Sequence, residues 1–233
     1  MIKLPKQNLC VNQTVSVFEN RKHAGDLLVP LIQDLLERKP ELAYGVVVGV
    51  PRGGVVVASQ VARQLNMPLD IMVTGKIFAP GRDDIVIGAV TERGRIFVNR
   101  PLVIALGLDD VAVQQEIEKV KAEIKSTSAD YRSIVPYSDL SEKTVFIIDD
   151  NVVTGSTMFA TLRGLWAERP ASVVVALPVA PAATLTALSD FADEIIALQA
   201  PEALDSGIDS FYTNLADVSQ DHVLSILKKQ NNG

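Results

Sequence analysis

Val145-Phe146-Ile147-Ile148-Asp149-Asp150-Asn151-Val152-Val153-Thr154-Gly155-Ser156-Thr157 is the stretch whose reading decides the fold. Its apolar beginning has the composition of a parallel strand covered on both faces, where no polar alternation is needed. The strand ends in two acids, and Thr154-Gly155-Ser156-Thr157 then opens a helix whose first backbone N–H groups have no partner within the helix. Such an end accepts an anion. Two carboxylates beside it would repel a phosphate, so they are read as partners of neighbouring hydroxyls. A phosphorylated sugar carries both groups.

Two other readings of these residues stay open. An acid-acid-Asn run after a strand also opens response-regulator receiver domains, where the acids hold Mg²⁺ beside an acceptor Asp. Receivers begin at that strand, whereas this one starts at position 145, and no lysine lies between Lys143 and Lys228 to act as the later lysine. The receiver reading also leaves the Thr154-Gly155-Ser156-Thr157 loop unexplained. The other reading is a plain strand-to-helix turn with a capping acid.

Working outward, Leu27, Leu28, Leu31, Ile32, Leu35 and Leu36 recur at helical spacing and predict a helix from Phe18 to Arg38. Tyr44 to Val50 reads as a strand, followed by a tight loop and a helix through Val61 and Leu65. Leu69 to Val73 is the next strand. Ile85 to Val90 and Arg95 to Val98 flank a Glu92-Arg93-Gly94 turn and predict a hairpin. Asp109 to about Ser128 is charged and helical. After the motif strand come a helix from Ser156 to Ala167, strands at Val173 to Leu177 and Glu194 to Leu198 around a helix at Ala182 to Leu188, and a closing helix at Asp221 to Lys229. This alternation predicts an α/β fold, a doubly wound and mostly parallel sheet with ligands at the carboxyl ends of its strands and a projecting β-hairpin.

Gly49-Val50-Pro51-Arg52-Gly53-Gly54 ends the first predicted strand. Gly53 and Gly54 allow backbone amides to approach an anion, and Arg52 supplies a forked cation for phosphate oxygens. Alone it would be a plain tight turn. With the motif strand it becomes the second half of one site.

The motif resembles the phosphoribosyl-diphosphate (PRPP) signature of the type I phosphoribosyltransferases. The resemblance extends through Phe18, Arg21, Ala24 and Gly25, through Pro68-Leu69-Asp70, Lys76 and Ile87-Gly88-Ala89, and through Ala176-Leu177-Pro178-Val179-Ala180-Pro181 and Phe211-Tyr212. These are similar to a bacterial group of phosphoribosyltransferases of undefined base specificity. Two departures are Asn151, where many relatives carry Gly, and Gly75, where that group usually carries Arg. The resemblance implies that Asp149 and Asp150 bind the ribose hydroxyls, that Val153, Thr154, Gly155, Ser156 and Thr157 cradle the 5′-phosphate, and that Pro51, Arg52, Gly53 and Gly54 hold the diphosphate with Lys76. It implies a glycosyltransferase (pentosyltransferase) that moves the phosphoribosyl group of PRPP to a nucleobase-like acceptor. Mg²⁺ is the expected cofactor, held mainly through PRPP rather than by direct protein ligands. One domain over residues 1–233 is expected, with a small hood from parts of 1–20 and 199–215, a lid in 78–99 or 126–138, and self-association as a dimer. A PRPP-sensing regulator without turnover is the alternative.

Composition narrows the partners. The chain has 233 residues, of which 48% are hydrophobic, enough for a large single core. A net charge of −6 provides no basic footprint for nucleic acid. Cys10 is the only cysteine, so no intrachain disulfide forms, and a reducing, cytoplasmic location is expected. The start lacks a signal-peptide core, and Pro178 and Pro181 interrupt the one long apolar stretch, so no membrane span is expected. His23 and His222 have no cysteine neighbours and make no metal pattern. Tyr131 and Arg132 precede a polar connection and are read as surface or mobile residues.

Overall fold

In the computed structural model, which describes residues 8–12, 16–205 and 207–231, six strands form the main sheet. They are β1 (Leu9–Val11), β2 (Gly45–Gly49), β3 (Leu69–Ile71), β7 (Thr144–Ile148), β8 (Ser172–Val179) and β9 (Glu194–Gln199). Every pair is parallel, and the spatial order is β1-β9-β8-β7-β2-β3. All residues of β7 are buried, as its unbroken apolar run requires.

Side-chain alternation along these strands builds two cores. Val47, Phe146, Ile148 and Val174 point to the face covered by α1 (Arg21–Arg38), α2 (Gly53–Leu65) and α7 (Gln220–Asn231). Val46, Val145, Ile147 and Val175 point to the opposite face, under α5 (Ser156–Trp166) and α6 (Ala182–Leu188). The doubly wound, mostly parallel sheet is therefore present.

Beside it, β4 (Thr74–Ala79), β5 (Arg82–Thr91) and β6 (Ile96–Val98) form a separate antiparallel sheet. With α3 (Arg100–Ala105) and α4 (Asp110–Arg132) it has its own core, centred on Ile77, Ile87, Val103, Val113 and Ile117. The expected hairpin is thus two strands of three. Gly75 and Lys76 hid the third, because neither favours a strand in isolation. The first helix begins at Arg21 rather than Phe18, since the Asn20 side chain accepts from the Lys22 and His23 amides and caps it there.

Tyr131 and Arg132 are not surface residues. Tyr131 is 1% exposed in the α1/α2 core. Arg132 sits in a buried ionic cluster that joins the two sheets. Its guanidinium forks onto Glu92 (2.6 and 2.9 Å), reaches Asp70 (2.6 Å) and donates to the Ile71 carbonyl (2.7 Å). Arg93 takes the other Asp70 oxygen at 2.9 Å, and the Tyr137 ring covers both guanidiniums. Burial pulls the Arg132 proton off, but Glu92 and Asp70 together outweigh it, so its pKa ends above the ordinary value. The stretch 126–138 is therefore pinned, which removes it as a lid.

Candidate functional site

Strands β2 and β7 are neighbours, with Gly49 opposite Ile148. From β2 the chain continues outward to β3, and from β7 it runs the other way to β8. The helices that follow, α2 and α5, cover opposite faces. This is a topological switch point, and such sheets place their ligand crevice at the carboxyl ends there.

The crevice exists as a cavity of about 360 Å³. Its walls include Pro51, Arg52, Lys76, Asp149, Asp150 and the loop 153–157. Residues from both loops and from the antiparallel sheet thus meet in one place. Arg52 is exposed, whereas Lys76 is half-buried on β4. Gly155 has φ +77°, and a Cβ there would come within 2.8 Å of the Phe159 ring, so the turn into α5 admits only glycine. Asn151 is not among the described non-glycine residues with positive φ, so its position makes no demand for the glycine that relatives carry.

Gly53 and Gly54 do not line the cavity; they are pressed against the acids. A Cβ on Gly53 would lie 2.1 Å from Asp150 Oδ2, and one on Gly54 would lie 2.8 Å from the Asp149 Cα and the Ile148 carbonyl. Their small size lets the start of α2 abut the end of β7. In the protein itself, the need for glycine at both positions comes from the acids as neighbours.

The acids are held in unequal ways. Asp149 Oδ1 accepts the Asp150 N–H at 2.9 Å. Burial, then the charge of the neighbouring Asp150, holds Asp149 well above the ordinary carboxylate range, and the Asp150 N–H and Arg21 offset this only in part. Asp150, 7% exposed, is ion-paired through Oδ2 to Arg21 Nε at 2.6 Å. Its carbonyl accepts from the Tyr212 hydroxyl at 2.7 Å, and burial followed by the Asp150 charge pushes that hydroxyl's pKa up. No local pattern marks Arg21 or Tyr212 as partners of Asp150; both stood out only through the family likeness.

Position 75 turns out not to face the site. A Cβ on Gly75 would meet Val120 at 2.6 Å and Ile124 at 2.9 Å, on the α4 side of β4. Lys76 points the opposite way, to the cavity. An arginine at 75 would run into α4 rather than reach the crevice, so Gly75 removes no cation from it.

No helix among the described residues is long and apolar enough to cross a membrane. Residues 17–203 match the sequence profile of the phosphoribosyl transferase domain family. The chain is 30% identical over 215 residues to proteins named "Putative phosphoribosyl transferase" from two Mycobacterium tuberculosis strains, CDC 1551 / Oshkosh and ATCC 25618 / H37Rv. The match covers 92% of this chain and 47% of theirs, so the chain spans about half the length of these relatives. The crystal structure of TT1426 from Thermus thermophilus superimposes with a TM-score of 0.81 at 33% identity, covering 92% of this chain and 99% of that one. With a profile match running from before α1 to beyond β9, the chain belongs to the phosphoribosyl transferase domain family.

Proposed function

We propose that the protein is a PRPP-dependent phosphoribosyltransferase that transfers the 5-phosphoribosyl group to a nitrogen of a nucleobase-like acceptor and releases diphosphate. The observation that carries this reading is the single cavity that collects two acids, two cations and a helix-opening loop. Loop 153–157 offers the first amides of α5 and the Thr154 and Ser156 hydroxyls to the 5′-phosphate. Asp149 and Asp150 accept from the ribose hydroxyls. Arg52 and Lys76 hold the diphosphate oxygens, where negative charge grows as the C1–O bond breaks through an oxocarbenium-like transition state. Remote binding of the 5′-phosphate orients C1.

Mg²⁺ accompanies the donor in this reading and, when bound, supplies charge neutralisation at the diphosphate. Among the described residues no three His, Cys, Asp or Glu side chains gather into a metal-binding group. The ion would be held mainly through the donor's own oxygens, with the Asp149 and Asp150 carboxyls lining the same cavity. The exposed β4–β5 tip around residues 81–84 is the proposed lid that excludes water. The segment 199–215 serves as the hood, joined to Phe18 by its bridge to Tyr212. Of the hood's other part, residues 1–7 and 13–15 lie outside the described residues, as does residue 206.

Calorimetric titration with PRPP, with and without Mg²⁺, tests the reading. Saturable Mg²⁺-dependent binding by the wild type, lost in Asp149→Asn/Asp150→Asn, is expected. A folded wild type that binds no PRPP would overturn it. Diphosphate release that depends on an added base separates the enzyme from a PRPP sensor sharing the same site. Arg52→Ala is expected to weaken PRPP at least about tenfold, the worth of a charge-assisted contact, and to leave ribose 5-phosphate nearly unchanged. Equal losses for the two ligands would place Arg52 away from the diphosphate.

The acid pair also makes stability depend on pH. The folded-state pKa of Asp149 is raised, so between the ordinary carboxylate pKa and that raised value the folded chain binds more protons than the unfolded one. Stability contributed by this group therefore falls as pH rises through that window. Asp149→Asn copies the protonated form and should be more stable than wild type at neutral pH. The gain is about 1.4 kcal/mol for each unit of raised pKa lying below the working pH. Urea midpoints measured across pH should show the gap closing near about pH 4. A gap that stays constant on acidification would rule out Asp149 as its source.

A further inference from the structure

Arg21 lies outside both loops of the crevice yet touches parts of both. Asn20 caps α1 immediately before it, which fixes Arg21 as the first residue of the helix. Its Nε donates to Asp150 Oδ2 at 2.6 Å, and its Nη1 donates to the Ala216 carbonyl at 2.7 Å. A Cβ on Gly53 would approach Nε to 2.8 Å, so the loop carrying Arg52 is packed directly on this guanidinium. The Arg21 and Asp150 side chains are 14% and 10% exposed, so water screens the pair little.

The backbone around Asp150 is held from the same side. The Tyr212 hydroxyl donates to its carbonyl, and the Phe18 ring lies 5.2 Å from the Tyr212 ring. The Thr213 and Asn214 amides donate to the Phe18 and Glu19 carbonyls just before α1. The segment 212–216 therefore reaches the acid end of β7 through two side chains, Tyr212 and Arg21. Of these, only Arg21 touches the carboxylate. A guanidinium presents its N–H groups in a planar fork, which lets one side chain hold a carboxylate and a carbonyl in different directions at once.

We propose that Arg21 is the positioning residue of the acid pair: it fixes the Asp150 carboxylate for the ribose hydroxyls and fastens segment 212–216 to that carboxylate. The ribose part rests on the PRPP reading above, whereas the tether itself does not. Donor binding and order in this segment are thereby linked through one guanidinium. A segment from the far end of the chain reports on the state of Asp150.

Arg21→Gln and Arg21→Lys test this with two readouts. The first is hydrogen exchange of the Thr213 and Asn214 amides in the ligand-free protein. The second is titration with PRPP, ribose 5-phosphate and inorganic diphosphate. Arg21→Gln should speed exchange about tenfold or more and weaken PRPP and ribose 5-phosphate by about 10- to 100-fold, the range for losing a hydrogen bond to a charged group. Diphosphate, which has no ribose, should change by less than about threefold on the same scale. Arg21→Lys keeps the charge but loses the fork, so it should recover part of the ribose 5-phosphate affinity and none of the exchange protection. Equal weakening of all three ligands would reduce Arg21 to a general stabiliser and overturn the positioning role. Unchanged exchange in Arg21→Gln would overturn the tether, even in a protein that bound no PRPP. Absence of PRPP binding by the wild type would overturn the functional reading and leave the exchange result to judge the tether.

Discussion

Arg132→Ala is expected to lower the free energy of unfolding by about 3–5 kcal/mol, the cost of leaving buried charges without their partner. Glu92 and Asp70 side chains are both 0% exposed, so neither can turn to water when the guanidinium is gone. Asp70 would keep Arg93, the Ile71 amide and the Ser138 amide. Among the described residues, the Glu92 carboxylate would keep only the Val73 amide, at 3.1 Å. Arg132→Lys should recover little, because an ammonium cannot fork onto Glu92 and still reach Asp70 and the Ile71 carbonyl. The exposed Arg82 pair with Asp84 provides the control, and its removal should leave stability unchanged within error. Urea unfolding with comparison of midpoints and slopes decides the matter. A shift below about 1 kcal/mol for Arg132→Ala, the range of a surface pair, would mean that the site opens to water more readily than its burial indicates.

Gly54→Ala should damage ligand binding out of proportion to its size. Alanine ordinarily gains up to about 1 kcal/mol over glycine within a helix. Here the new methyl would lie 2.8 Å from both the Asp149 Cα and the Ile148 carbonyl, which are backbone atoms of the buried motif strand and its end. Overpacking of this kind costs about 1–3 kcal/mol, so the clash outweighs the propensity gain. The relief available is to push α2 away from β7, which separates the two loops. PRPP affinity should then fall about 100-fold, on the scale of a 1 Å displacement at a reacting centre. Gly53→Ala differs in kind, since its neighbours are the Asp150 carboxyl and the Arg21 guanidinium, so the methyl strikes the ion pair rather than main chain. It should displace the Asp150 carboxylate from Arg21 and so weaken the ribose contact directly, leaving the α2–β7 packing nearer to wild type. Wild-type affinity in Gly54→Ala would show that the loop moves independently of the strand.

The parts of the fold written in local patterns are legible in the sequence itself. The buried run of β7, the helical spacing of α1 and the turn residues around α5 each signal themselves within a few positions. β1 escaped notice because it has three residues, and its strand character comes from pairing with β9, far away in the chain. β4 escaped because Gly75 and Lys76 make sense only once α4 and the crevice lie on its two sides. The residues of the cavity wall came from two recognisable loops and one lysine. Arg21 and Asp150, by contrast, are 129 positions apart, and Arg132 and Asp70 are 62 apart. Nothing in a local window distinguishes a buried ionic partner from a solvated one, so Arg132 looked like surface.

The pairing of β2 with β7 also acts as a gauge. Adjacent strands in a sheet stand about 4.8 Å apart, and the Gly49–Ile148 register leaves no slack between the loops that follow them. The points from which the two loops start are thus spaced by main-chain geometry. On the proposed reading, substitutions before Tyr212 in the hood would alter which acceptor is admitted, whereas Tyr212 itself stays tied to the acid end of β7. A chain of this design can diversify at one end of its crevice while the other end keeps its measure.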